Sequence, residues 1–314
     1  MPSFARLLSS VVVAAGLLRV HAATYNEATS YIGQDFLNGA FTFFTDPDPT
    51  DGRVIYVNQA TAAADNLTFA TDDVFILRAD DTTVLSSSGP GRNSVRLTSV
   101  ATFSTSAIVL DLAHMPQGCG TWPAFWTFGP NWPLTGEIDI MEGVNNQNFN
   151  QGTLHTGPSC TMPSSRDQTG NIANNDCAAA DDGNDGCGVE FASNTFGPNF
   201  NSAGGGWFAM ERTSEFISIW FWPRDSTTVT PDVKDGQSSV NTGNWGTPVA
   251  NFPTSSTCDL AAEFGAAHNI IINLTFCGVF VNTPSSYTLS HYVNANPGAF
   301  SDAFFEINAI RVYE

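Results

Sequence analysis

Residues 136–143 read GEIDIMEG: three acids, Glu137, Asp139 and Glu142, stand among two isoleucines and a methionine. The stretch has the character of a strand bound for a hydrophobic core, where a carboxylate is costly unless a neighbour uses or neutralises it. Side chains of an extended strand take the two faces in turn, so Glu137 and Asp139 share one. Glu142 comes five residues after Glu137 and in a regular strand points the other way. One extra residue, a β-bulge near Ile140 or Met141, returns it to the shared face. Five steps less the bulge leave about four rises, roughly 13 Å between the two glutamate backbones. If side chains reaching about 4 Å each lean together on a concave sheet, the carboxylates end about 5 Å apart. That is the separation of a retaining glycosidase pair, whereas an inverting pair stands about 6.5–9.5 Å apart.

Such a pair has defined chemistry. One carboxylate attacks the anomeric carbon, and the other protonates the leaving oxygen and then activates water or an acceptor sugar. Asp139, between them, can hold a proton and hydrogen-bond the nucleophile. Neighbouring negative charges raise the affinity of one member for a proton, which keeps an acid available near neutral pH. The titration then belongs to the cluster as a whole. The competing readings of the spacing are a metal site and charges on a solvated strand face.

Outward from this stretch the periodicity is that of a β protein. AFTFF (40–44), RVIYV (53–57), VFILRA (74–79), SVRLTS (94–99) and AIVLDLAH (107–114) are short, rich in Val, Ile, Phe and Thr, and bounded by turn residues. WFAMER (207–212), EFISIWFW (215–222), NIIINLTF (269–276) and FFEINAIRVYE (304–314) follow the same rule. No segment sustains a helical period over four turns, and no internal repeat or proline-rich linker occurs. Many short strands with Gly, Pro and Asn turns predict an all-β, two-sheet antiparallel sandwich. Residues 158–206 break the rhythm, being rich in Asn, Gly, Asp and Ser. A loop of that length is functional or tied down, and its cysteines, 160, 177 and 187, predict disulfide ties. Three cannot pair among themselves, so one bonds outside the loop or stays free. Asp181, Asp182 and Asp185 lack the spacing of an EF-hand calcium loop and read as a solvated loop.

The chain has 314 residues, 42% of them hydrophobic, and a net charge of −19 with 13% charged residues, against roughly 25% charged in an average domain. Lys234 is the single lysine. That balance excludes nucleic acid and anionic membrane surfaces as expected partners and suits a neutral substrate. Residues 1–22 read as a secretory signal peptide: Arg6 precedes the apolar Leu7–Leu18, and Val20-His21-Ala22 resembles a cleavage site. A secreted, extracellular or cell-wall location follows, with residues 23–314 as one domain, no membrane anchor, and a monomer. Export permits disulfides among the six cysteines. Of two glycosylation sequons, Asn66-Leu-Thr is expected to be modified, and Asn273-Leu-Thr, inside a buried strand, to be bare.

The acid stretch resembles the signature of glycoside hydrolase family 16, the laminarinase and lichenase family. WPAFWTFGPNWPLTGEIDIMEG (122–143), TLHTG (153–157) and the closing FFEINAIRVYE are similar to its pattern, most closely to fungal laminarinase-type endo-β-1,3-glucanases. The resemblance covers residues 23–314. It implies a concanavalin A-like β-jelly roll with a concave substrate cleft. It casts Glu137 as nucleophile, Glu142 as acid/base and Asp139 as assistant. It places Trp126, Trp132, Arg96 and His155 at the substrate, where flat aromatics suit the apolar face of a glucose ring. Trp122, followed by Pro123 in an apolar run, reads as core. Where similar fungal enzymes carry a tryptophan after NLTFCG, this chain has Phe280, which keeps a stacking face but loses the indole N–H.

The expected activity is that of a retaining endo-β-glucanase on β-1,3 or mixed β-1,3/1,4 glucans. No redox cofactor or catalytic metal is expected, and a structural calcium between the sheets is left open. A wall-remodelling transglycosylase is a close variant, and a non-catalytic glucan-binding protein on the same fold is the second class. Three intact carboxylates argue against the latter.

Overall fold

The computed structural model describes residues 23–86, 89–181, 183–279 and 286–314. Two antiparallel sheets face each other. In the eight-stranded sheet the strands run in the order Asn171–Ile172, Cys187–Glu190, Gln151–His155, Glu137–Glu142, Thr121–Phe128, His268–Phe276, Arg96–Phe103 and Phe41–Phe43. In the nine-stranded sheet the path is Ser239–Asn241, Thr24–Tyr31, Phe304–Tyr313, Ser106–His114, Gly206–Arg212, Phe216–Pro223 and Ala250–Pro253. Thr68–Ala70 and Phe75–Arg78 attach to it through Phe304–Tyr313. The sandwich expected from the strand pattern is therefore present. Among the described residues no helix is long and apolar enough to cross a membrane.

The main core lies between the sheets. Phe125, Ile138, Ile140, Met141, Leu154, Ile270, Ile272 and Leu274 meet Ile108, Leu110, Leu112, Phe208, Met210, Ile217, Ile219 and Ile310. Full burial of each such side chain is worth about 1.5–3 kcal/mol. A second cluster lies on the outer face of the nine-stranded sheet. There Ala107, Val109, Trp207, Trp220 and Trp222 pack with Val233, Val240 and Trp245. Central strands buried on both faces explain why AIVL and SIWFW are continuous apolar runs and do not alternate.

Three departures from the sequence reading concern segments with weak periodicity. Val54–Tyr56 pairs in parallel with Arg92–Ser94 in a separate two-stranded sheet. The polar region after residue 158 supplies the edge of the eight-stranded sheet through Asn171–Ile172 and Cys187–Glu190. Cys177–Cys187 closes part of it, and Cys160–Cys258 anchors it from outside the region, the first of the two alternatives that the odd count of cysteines left open. Cys119 is exposed and Cys277 buried, both as free thiols. Ser286–Ala295 is a ten-residue helix.

Candidate active site

Pro133 and Gly136 launch the acid strand. Gly136 N–H donates to the Pro133 carbonyl at 3.0 Å, and its φ of +78° lies in the left-handed region. A Cβ there would stand 2.4 Å from the Phe264 ring, so only glycine fits. Glu137 then pairs with Phe128 and Asp139 with Trp126, but Met141 pairs with Phe125 and Glu142 with Ala124. The register slips between Asp139 and Met141, which makes Ile140 the bulged residue. Ile138, Ile140 and Met141 all enter the core. Glu137 and Glu142 oppose residues four apart on the neighbouring strand, so they share the outer face, as the spacing demanded.

That face forms the floor of a cleft of about 420 Å³. Arg96, Trp126, Trp132, Glu137, Asp139, Glu142 and His155 all line it. Phe280 lies outside the described residues. Asp139 is 1% exposed, and Glu137 and Glu142 are partly open to the cleft. Asp139 and Glu137 are hydrogen-bonded to each other, and the Trp132 indole donates to Glu137. His155 Nε2 lies 3.2 Å from Asp139 Oδ2. Its Nδ1 is 3.0 Å from Asn184 Oδ1. Asn184 Oδ1 accepts from Nδ1–H, which orients the ring with Nε2 towards Asp139.

Three carboxyls in one half-dry site cannot all ionise freely. Burial, then the Asp139 charge, pushes Glu137 up to about 8, with Glu142 adding to the rise and His155 and the Trp132 N–H opposing it. Burial and the Glu142 charge hold Asp139 well above the usual carboxylate range. Burial also raises Glu142, against the pull of the Trp122 N–H and of His155. The cluster thus retains a proton near neutral pH, shared between Glu137 and Asp139 through their hydrogen bond. Among the described residues, Glu137, Asp139 and His155 are also the group whose donor atoms fall within 4.8 Å of one another. Their contacts with each other account for that proximity.

Trp122 corrects the sequence reading. It is buried, as expected of a core residue, but on the cleft side, and its indole N–H donates to Glu142 Oε1 at 2.8 Å. The signal was available: Trp122 and Trp126 are four residues apart in one strand and share a face. Trp126 donates to Asn273 Oδ1 at 2.7 Å, and Asn273 Nδ2 donates to the Tyr56 hydroxyl at 3.2 Å. The second sequon asparagine therefore belongs to the cleft wall. Asn66, in the first sequon, is exposed with a left-handed φ of +55°. Arg96 is buried with its guanidinium over Trp126 and Phe44, at 5.0 and 4.5 Å, and it stiffens the aromatic wall. The polar loop read as solvated also enters the site, because Gly183, Asn184 and Asp185 line the cleft. Asp182 lies outside the described residues.

A family description reading "XgeA-like, catalytic GH16 domain" matches residues 41–313. Laminarinase 16A of Phanerochaete chrysosporium, solved with two 6-O-glucosyl-laminaritriose molecules in its donor and acceptor sites, is 51% identical. It superposes with a TM-score of 0.90 over 93% of this chain and 100% of its own. An elongating family 16 β-1,3-glucosyltransferase is 37% identical, with a TM-score of 0.84 over 92% of this chain and 100% of its own. The endo-1,3(4)-β-glucanase xgeA of Emericella nidulans is 38% identical over 329 aligned positions, which cover 98% of this chain and 50% of that protein. The chain spans about half the length of the curated relatives it matches. The matched span takes in the bulged acid strand and most of both sheets, and the chain belongs to glycoside hydrolase family 16.

Proposed function

We propose that this chain is a secreted retaining endo-β-glucanase that hydrolyses β-1,3 or mixed β-1,3/1,4 glucans by double displacement. The observation that supports it most is the bulge at Ile140, which turns Glu137 and Glu142 to the same cleft face with Asp139 between them. The names of its relatives, a laminarinase and an endo-1,3(4)-β-glucanase, point to the same substrate class. In the first step the Glu137 carboxylate attacks the anomeric carbon while Glu142 delivers its proton to the departing glucosyl oxygen. Asp139 takes up the proton shared with Glu137, which frees the nucleophile's charge at the moment it is used. In the second step Glu142, now ionised, removes a proton from water, and the resulting attack releases Glu137 with net retention. Trp126 and Trp132 offer flat faces to glucose rings, and Arg96, Asn273 and His155 offer polar partners at the cleft wall.

The test is turnover of laminarin and lichenan with NMR of the first anomer formed. The β anomer is expected; the α anomer, or binding without reducing-sugar release, overturns the reading. A second reading is transfer to another sugar, supported by the similarity to the elongating glucosyltransferase. Products longer than the starting oligosaccharide at low substrate concentration favour it. The apolar leader at residues 7–18 and the two disulfides suit export to the cell exterior or wall, with Asn66 as the glycan site on a monomer.

A further inference from the structure

The acid strand loses one partner midway. Gln151–His155 pairs with Glu137–Asp139 and stops, while Thr121–Phe128 follows the strand to Glu142 on the other side. Past Asp139, one side chain takes the place of the missing strand. Asn150, fully buried, donates from Nδ2 to the Ile140 carbonyl at 3.0 Å and accepts at Oδ1 from the Glu142 N–H at 2.9 Å. The two ends of the amide cannot be exchanged, because one partner only accepts and the other only donates. Asn150 is itself fixed at both backbone groups. Its N–H donates to Thr195 Oγ1 at 2.8 Å, and its carbonyl accepts from Phe191 N–H at 2.9 Å. The Thr195 hydroxyl donates onward to the Ala192 carbonyl at 2.7 Å. The carboxamide thus ties the carbonyl of the bulged residue itself to the N–H of Glu142, spanning Met141. It is absent from the cleft lining, so it acts on the site only through the strand.

We propose that Asn150 is a positioning residue for the reaction, locking the bulge at Ile140 so that the Glu142 carboxyl is aimed at the leaving oxygen. This rests on the glucanase activity proposed above. A regular strand puts Glu142 on the core side, and the bulge is the only device in the strand that reverses it. Without its clamp the bulge can migrate along the strand, and each one-residue move flips side chains between faces. The effect therefore falls on proton delivery, and binding of the glucan is spared.

Asn150→Asp and Asn150→Ala separate this role from mere packing. A protonated carboxyl has the shape of a carboxamide: its carbonyl oxygen accepts from Glu142 N–H and its O–H donates to the Ile140 carbonyl. Ionised, it sets one acceptor against another and adds a charge beside the cluster. Alanine makes neither bond at any pH.

The experiment measures kcat and KM of the full chain and both variants across the acid-to-alkaline range. Substrates are laminari-oligosaccharides and an aryl β-glucoside with a good leaving group. Asn150→Asp is expected to match the wild type in acid and to fall behind by about tenfold or more as its carboxyl ionises. Asn150→Ala is expected to lose about ten- to a hundredfold in kcat on oligosaccharides, with KM within about twofold, and far less in kcat/KM on the aryl glycoside, whose departure in the first step needs little proton donation. A deficit of Asn150→Asp that does not change with pH overturns the proposal. So does an equal loss of kcat/KM on both substrate types by Asn150→Ala. Where the alanine variant does not fold, the pH dependence of the aspartate variant decides. An active wild type with either failure removes the role of Asn150 and leaves the glucanase standing. A wild type inactive on every glucan removes both.

Discussion

Replacing Glu137 with glutamine is expected to stop the reaction and at the same time to stabilise the fold, by an amount that grows with pH. In the folded chain Glu137 takes up its proton at about 8, against 4.5 for an unperturbed glutamate. Below 4.5 both folded and unfolded chains carry the proton, and the stabilising contribution of this group is complete. As pH rises towards about 8 the unfolded chain gives the proton up first, and that contribution is progressively lost. The whole interval corresponds to about 4–5 kcal/mol at 1.36 kcal/mol per pKa unit. Glu137 opens on one side to water in the cleft, so screening reduces the penalty to about 2 kcal/mol. Glutamine keeps an acceptor for the Trp132 N–H but has no charge to desolvate. Melting curves near pH 4, 6 and 8 should therefore show no gain, then about 2 °C, then about 4–6 °C for the variant. Turnover should fall by about 10⁴-fold or more at every pH. A melting difference that is the same at all three pH values refutes the claim that the folded site costs stability by holding the Glu137 charge out of water. A variant less stable than wild type near pH 8 does so more strongly.

Three further outcomes test other parts of the site. Trp122→Phe removes the N–H that favours ionised Glu142, a bond to a charged group worth about 1.5–3 kcal/mol before solvent screening, so the alkaline limb of kcat/KM should move up by about one pH unit; a limb that stays or moves down contradicts that hydrogen bond. Trp126→Ala should weaken binding of laminari-oligosaccharides by about 2 kcal/mol through loss of a stacking face, measured by calorimetry on the inactive Glu137→Gln background, and unchanged affinity would take the ring out of the substrate path. Cys160→Ser with Cys258→Ser opens a link across 98 residues of chain and should lower stability by about 5 kcal/mol in denaturant titration, against about 3 for the ten-residue Cys177–Cys187 link, with the reverse order refuting the loop-entropy account.

The acid strand was legible because its pattern is self-contradictory. Apolar residues at 138, 140 and 141 and acids at 137, 139 and 142 cannot be sorted onto two faces without one extra residue, and the structure puts that residue at Ile140. The sandwich was legible from short β-branched runs that are buried on at least one face. Trp122 was misread because its burial was taken as core, when parity with Trp126 sets it on the cleft face beside Glu142. Asn273 looked like a stray sequon because nothing local announces that its amide joins Trp126 to Tyr56. Residues 183–185 reach the cleft through the Cys177–Cys187 link and the pairing of Cys187–Glu190 with Gln151–His155. Neither the link nor the strand pairing leaves a periodic signal in the sequence. Asn150 sits in NFNQG, an ordinary turn composition, and its task depends on where a neighbouring strand stops.

The irregularity at Ile140 also makes this one spot tolerant of a change in length. Outside the bulged pair Ile140 and Met141 the strand has no such tolerance: removing Ile138 would put Asp139 on the face opposite the two glutamates. Excising Ile140 instead closes the segment to EIDME, in which all three acids fall on every second position with no distortion required. The spare residue and the kink would disappear together. The same reactive side of the sheet can thus be written in a longer and a shorter form, and a protein can pass between the two in one step without turning its chemistry inside out.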